Sequence, residues 1–474
     1  MSRLTPLHRE SSYQMEPPSR PLHDAPVAAI LRAPELKKYF YEGLINPLSH
    51  IPGPYLSQWT SLKVSYYWLA GKRATYVDKL HKQYVQHQRK TLGPVVRVSP
   101  NEVSICDIRA AREIYNTSSR FYKSNWYRLL VPPLLENIIS TPHPLIRSSR
   151  RRLLAPPLSD SSLTRLEPRI REMIYLTLVK MSHELKVKGS LDVFKWWLFM
   201  TTDIIGELSF GESFRIIDLE QLSTISPTRT TFSFLMKAGA MLPLPTFTKM
   251  VQASYRLNDY ARQSVARHKA FTTKDPLNAK HTLFTKVIDA GDKGGLSEQE
   301  ICNEARGFIG AGSETTAVTL TYLVYAVCRD CHTRSLPYLN QVIKETLQLY
   351  AAIPEALPRT VPEDGIHLAE FNIPGGTTYA SGSEILPNPL DFYPERWTSP
   401  TKEMEDASLP FGDRSRTSLK IHLARMELQL ATALFFRAFL EVRMSSHEGI
   451  CNDDMELRSF FLAAPKGHRC LVKA

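Results

Sequence analysis

Apolar residues recur at helical spacing from Leu163 to about Leu185 and again from Asp192 to Gly211, which predicts two successive helices. Asp160 or Ser161 is placed to cap the first. A longer run from Ser297 to Arg329 predicts one continuous helix. It opens with Ser297-Glu298-Gln299-Glu300, a capping box in which hydroxyl and carboxylate each accept the other residue's backbone N–H. Between Pro94 and Val103 apolar and polar residues alternate instead, as in a short strand pair, and strand-like pieces return at His367–Pro374 and Leu457–Leu471. The expected fold is mainly α with a small β portion.

The chain has 474 residues, 43% of them hydrophobic and 22% charged, enough apolar material for one large core. Beyond residue 45 there is neither linker-like composition nor a repeat, so residues 46–474 read as one domain. Residues 1–45 read as an atypical N-terminal segment. They are polar and proline-bearing, and Val27–Leu31 falls far short of the roughly 18 apolar residues that span a bilayer. They hold no signal-peptide apolar core either. Membrane association is therefore expected to be weak or absent, with an intracellular location, cytoplasmic or peripheral at the endoplasmic reticulum. Six scattered cysteines imply no disulfide framework and suit a reducing compartment.

The net charge of +12 is spread along the chain. Its densest cluster, Arg147–Arg152, lies inside a helical pattern without interleaved aromatics, so a nucleic-acid partner is not expected. A basic surface does suit an acidic partner protein. No nucleophile elbow or phosphate-binding loop is present, which removes common hydrolase and NTPase readings. Cys328-Arg329-Asp330-Cys331-His332 matches the covalent haem-attachment pattern C-x-x-C-H. Without an export signal it reads as a chance junction. A zinc site would need two further ligands at fixed spacing, and none is found.

Four motifs in order carry the chemistry. They are Ala311-Gly312-Ser313-Glu314-Thr315-Thr316, Lys344-Glu345-Thr346-Leu347-Gln348, Pro394-Glu395-Arg396-Trp397, and Phe411-Gly412-Asp413-Arg414-Ser415-Arg416-Thr417-Ser418-Leu419-Lys420, followed by Leu423-Ala424-Arg425-Met426-Glu427. As a set they resemble the cytochrome P450 haem-thiolate monooxygenases from about residue 46 to the end. In that family the corresponding patterns are [AG]-G-x-[DE]-T-[TS], E-x-x-R, P-E-R-F and F-x-x-G-x-R-x-C-x-G. A proline-rich hinge, Pro47–Pro54, fits as well. Arg150-Arg151-Arg152-Leu153-Leu154-Ala155-Pro156-Pro157 and Asp192-Val193-Phe194-Lys195-Trp196-Trp197 look like segments of filamentous-fungal members serving secondary metabolism.

The resemblance implies the cytochrome P450 fold and iron protoporphyrin IX. It also implies a small apolar substrate such as a polyketide, and electrons from NADPH-cytochrome P450 reductase. The activity implied is oxidoreductase: monooxygenation or desaturation. It makes Glu314 and Thr315 a proton relay, although a threonine in a helix can equally bond back to a carbonyl. Arg151, Arg359 and Arg416 become clamps on the haem propionates, with Phe411 against the cofactor. Glu345 would pair with Arg396, while Gln348 stands where the family has a second arginine.

At the position of the family's cysteine ligand stands Ser418, and the two flanking glycines are Arg414 and Lys420. A thiolate is soft and electron-rich, and it drives O–O cleavage. A hydroxyl is hard and stays protonated, so ligation by Ser418 is expected to be weak. The alternative to an active enzyme is an inactive pseudoenzyme, or the product of a mis-assembled gene, that at most binds an apolar ligand. The stretches between Thr316 and Glu345 and between Thr378 and Pro394 also fall short of the family's usual helix pair and strand-helix unit.

Overall fold

The computed structural model describes residues 46–84, 94–115, 120–131, 135–220, 245–274, 282–292, 295–329, 338–355, 357–368, 371–381, 391–412, 417–445 and 452–473. The N-terminal segment 1–45 lies outside them. Six helices position the site: α1 (Pro144–Leu154), α2 (Glu167–Lys188), α3 (Val193–Phe210), α4 (Glu298–Arg329), α5 (Leu339–Leu349) and α6 (Ile421–Ala438).

The helix α3 forms where the apolar pattern ran from Asp192 to Gly211, and both ends are defined by those residues. Asp192 accepts the N–H groups of Phe194 and Lys195, and Gly211 closes the helix at φ 80°. Nearly every α3 side chain is buried, as expected of a helix apolar on all faces. Trp196 and Trp197 are among the largest fully buried side chains. The first donates its indole N–H to Glu184 at 2.7 Å, and the second meets Phe435 of α6 edge-on. Packing of α2, α3, α4 and α6 makes the main apolar core.

The expected helix from Leu163 to Leu185 divides. A short helix Asp160–Thr164 ends before α2 begins at Glu167, and Leu166 occupies the joint. Pro168 is the reason: it has no N–H to donate to an interior turn, so the helix restarts with the proline in its first turn. Asp160 is the first residue of the short helix, not its cap; Ser159 holds the cap position.

At 32 residues α4 is about 48 Å long. Its capping box closes as expected: the Ser297 N–H donates to Glu300 at 2.9 Å, and the Glu300 N–H donates to the Ser297 hydroxyl at 3.3 Å. Only residues 330–338 join α4 to α5, too few for a further helix pair.

A five-stranded sheet flanks the helices. Its strands are β1 (Val95–Ser99), β2 (Glu102–Ile105), β3 (Tyr122–Lys123), β4 (Arg359–Thr360) and β5 (Thr378–Ser381), in the order β1-β2-β5-β4-β3. The β1–β2 pair is antiparallel, with Val95 opposite Ile105, and β2 runs parallel to β5. The Pro47–Pro54 segment seats Leu48 and Ile51 in an apolar cluster with Val95 and Val103. Gly53 permits this, because a Cβ there would fall 2.4 Å from the Arg97 carbonyl oxygen. The expected strands near His367 and after Leu457 are present as Ile366–Leu368, Phe371–Ile373, Leu457–Ser459, Ala463–Pro465 and Leu471–Lys473.

Candidate active site

Helix α4 carries Ala311–Thr316 at its centre. Gly312 is the residue that lets neighbours in: a Cβ there would lie 2.9 Å from the Lys420 ammonium and 3.0 Å from Ile205. Thr315 is half-buried and its hydroxyl donates to the Ala311 carbonyl at 2.9 Å, so it bonds back to its own helix. Glu314 is only 5% exposed, and its Oε1 has no hydrogen-bond partner among the described residues. Burial with nothing to offset it pushes this carboxyl up to about 8.

The native state thus keeps a proton on Glu314 that the unfolded chain releases above the ordinary glutamate value of 4.5. Stability that depends on this neutral carboxyl is complete below that value and is lost as pH rises toward about 8. The Glu314→Gln variant, uncharged throughout, is expected to lose less stability over that range. Urea midpoints at a series of pH values measure it; parallel profiles for parent and variant would refute it.

The ligand loop hangs between Phe411 and α6. Gly412 takes φ 77°, and the Ser418 N–H donates to the Phe411 carbonyl at 2.7 Å. The Ser418 side chain is exposed, and its hydroxyl oxygen accepts the Lys420 N–H at 3.3 Å. Residues 413–416, with Arg414 and Arg416, lie outside the described residues. Phe411 is half-buried against the main core, beneath the Arg425 guanidinium.

Arg151 reaches the loop from α1 and donates to the Thr417 carbonyl at 2.9 Å. Burial lowers its pKa. Arg359 is fully buried on β4, stacked over Tyr115, with Nη1 donating to the Tyr127 hydroxyl at 3.0 Å. Its Nε is unpartnered among the described residues. Neither Arg151 nor Arg359 pairs with a carboxylate among those residues.

The sequence marks Lys420 only as the replacement for a flanking glycine. Its side chain is buried, its ammonium donates to the Phe308 carbonyl of α4, and it sits 4.6 Å from the Phe308 ring centroid. Burial pulls it down to about 7, while nearby Glu427 acts in the opposite direction. Burial likewise pushes Glu427 up to about 8, although a hydrogen bond with Thr316 favours its charged form.

Glu345 of α5 is fully buried. It accepts the Tyr393 N–H at 2.9 Å and the Trp397 indole N–H at 2.6 Å, and it pairs with the Arg396 Nε at 3.2 Å. Desolvation raises its pKa against those three partners. Gln348 stands one turn further along α5, half-buried. The Trp397 donor was missed, although the sequence held a signal: tryptophan stands where the family pattern has phenylalanine, which has no N–H to give. Cys328 lies in the last turn of α4, its sulfur 3.7 Å from the Val442 carbonyl. Cys331 and His332 are outside the described residues, among which no group of residues could hold a metal ion.

A long helix that bears Glu314 and is in contact with Lys420, together with a buried glutamate–arginine pair on α5 and the segment after it, is consistent with a haem-monooxygenase framework. The chain belongs to the cytochrome P450 family, which it matches over residues 62–334 and 331–471. The two stretches meet where the α4–α5 connection is short. It is 40% identical to cytochrome P450 monooxygenase orf2 of Aspergillus niger, over 95% of this chain and 98% of that relative. It is 41% identical to cytochrome P450 monooxygenase tazI of Aspergillus terreus, over 91% of this chain and 95% of that protein. The fold is similar to retinoic acid-bound cyanobacterial CYP120A1, with TM-score 0.63 and 19% identity, covering 81% of this chain and 92% of that one.

Haem is the family's cofactor. Arg151 and Arg359, neither with a carboxylate partner among the described residues, are of the chemistry that would suit its anionic edge. The ligand loop does not fit its axial bond: the donor at position 418 is a hydroxyl, and the residue two further on is a lysine tied to α4.

Proposed function

We propose that residues 46–474 form a single domain with the scaffold of a monooxygenase acting on an apolar fungal secondary metabolite such as a polyketide. In this chain Ser418 removes the axial thiolate, leaving a protein that holds the apolar ligand without oxidising it. The observation that carries this reading is the serine itself, placed by its bonds to Phe411 and Lys420. In the family, haem with a thiolate ligand supplies oxygen activation. Here Arg151, Arg359 and Arg416 would hold its carboxylates, and Glu314 keeps a proton within an apolar interior at neutral pH. No oxidative step is derived, because the axial donor does not fit.

The electron donor that the family uses is NADPH-cytochrome P450 reductase, and the basic balance of the chain suits an acidic partner. Among the described residues no helix is long and apolar enough to cross a membrane. One observation favours a second reading, an active oxidase: the Ala311–Thr316 motif is complete. The reduced carbon-monoxide spectrum of purified protein separates the two. No sulfur-ligation band is expected, and its appearance would establish another cysteine as ligand and the chain as an enzyme.

A further inference from the structure

We infer that Lys420 is an internal strap that locks the ligand loop onto α4 and opposes haem uptake by this chain. The inference rests on reading the loop and α4 as the two sides of the cofactor site. The family pattern has glycine at position 420, where no side chain leaves the loop. Here a long side chain leaves it and ends on α4, with its ammonium on the Phe308 carbonyl and over the Phe308 ring.

The contact falls within the helix segment that matters. The ammonium sits 2.9 Å from where a Gly312 Cβ would be, so a larger residue at 312 would have to push it aside. Near it, the Glu427 carboxyl of α6 is buried and hydrogen-bonded to Thr316. Phe308, Gly312 and Thr316 follow one another at four-residue intervals along one face of α4. The strap therefore joins the loop to that face. At its near end, the Lys420 N–H is held by the Ser418 hydroxyl oxygen.

Parting the loop from α4 strips the ammonium of its carbonyl in a site from which water is excluded. A buried charge that loses its partner is costly. Any flat ligand entering between the two elements must bear that cost. With glycine at the same position there is nothing to break.

The test is haem titration of the full-length protein with hemin, followed by absorbance and by quenching of tryptophan fluorescence. Lys420→Met keeps most of the stem and removes the charge; Lys420→Gly removes both. Each is expected to bind hemin at least about tenfold more tightly than the parent, the scale of one charge-assisted hydrogen bond. Lys420→Arg, which keeps a cation, is expected to stay within about threefold of the parent on the same scale. Equal affinity of the parent, Lys420→Met and Lys420→Gly, with unchanged circular dichroism, overturns the inference. Should both variants fail to fold, Glu427→Gln, which removes the neighbouring carboxyl that favours the charged form of Lys420, takes their place, and parental affinity in it overturns the inference equally. Affinity reports on Lys420, whereas the type of axial ligation reports on Ser418, so the two proposals fail separately.

Discussion

The combined variant Ser418→Cys, Arg414→Gly, Lys420→Gly is expected to take up haem and to show the carbon-monoxide band of sulfur ligation when reduced. The scaffold around the loop already has the parts that such a cofactor needs. The Ser418 N–H is held by the Phe411 carbonyl, Arg151 braces Thr417, and Arg359 is buried without a carboxylate among the described residues. A sulfur at 418 restores a soft donor, and the two glycines restore the backbone freedom and close approach that side chains deny. The three changes act through one cofactor and will not add independently. Ser418→Cys alone is expected to give the band in only a fraction of molecules, because the Lys420 strap remains. A well-folded triple variant that stays free of haem would defeat the repair and leave a ligand-binding pseudoenzyme as the surviving account.

Glu345→Ala is expected to destabilise the protein by about 3–5 kcal/mol, read as a fall in the urea midpoint. The Arg396 side chain is almost wholly buried, so the deletion leaves a cation in the interior without its carboxylate. It also leaves the Tyr393 N–H and the Trp397 indole N–H without their acceptor. Gln348→Arg should move the midpoint the other way by offering Glu345 a second cation one helical turn along. A Glu345→Ala loss below about 1 kcal/mol would place the pair in the range of exposed ion pairs and refute its buried role.

Much of the framework was legible because its determinants are local. The capping box at Ser297 rests on residues within a turn of one another and formed as read, and α3 fills the apolar run from Asp192 to Gly211. The division at Leu166 was missed because apolar spacing continues through it, and only the donor lacking at Pro168 interrupts the helix. The site was legible as a set of motifs, but not where each side chain ends. Arg151 also donates to the Thr417 carbonyl, a contact with a residue far along the chain that no motif displays. Lys420 is visible in the sequence only as a lost glycine, whereas its contact is with Phe308, more than a hundred residues earlier in the chain. Trp397 was recorded as part of a motif, but its indole N–H mattered only once folding brought Glu345 beside it.

The short connection between α4 and α5 bears on the order in which the chain assembles. Closing a short loop costs little chain entropy, so α5 finds α4 before more distant partners are engaged. Glu345 then awaits only Tyr393, Arg396 and Trp397, all of which precede the ligand loop in the sequence. The buried glutamate box can therefore close without any contribution from the Phe411–Lys420 segment.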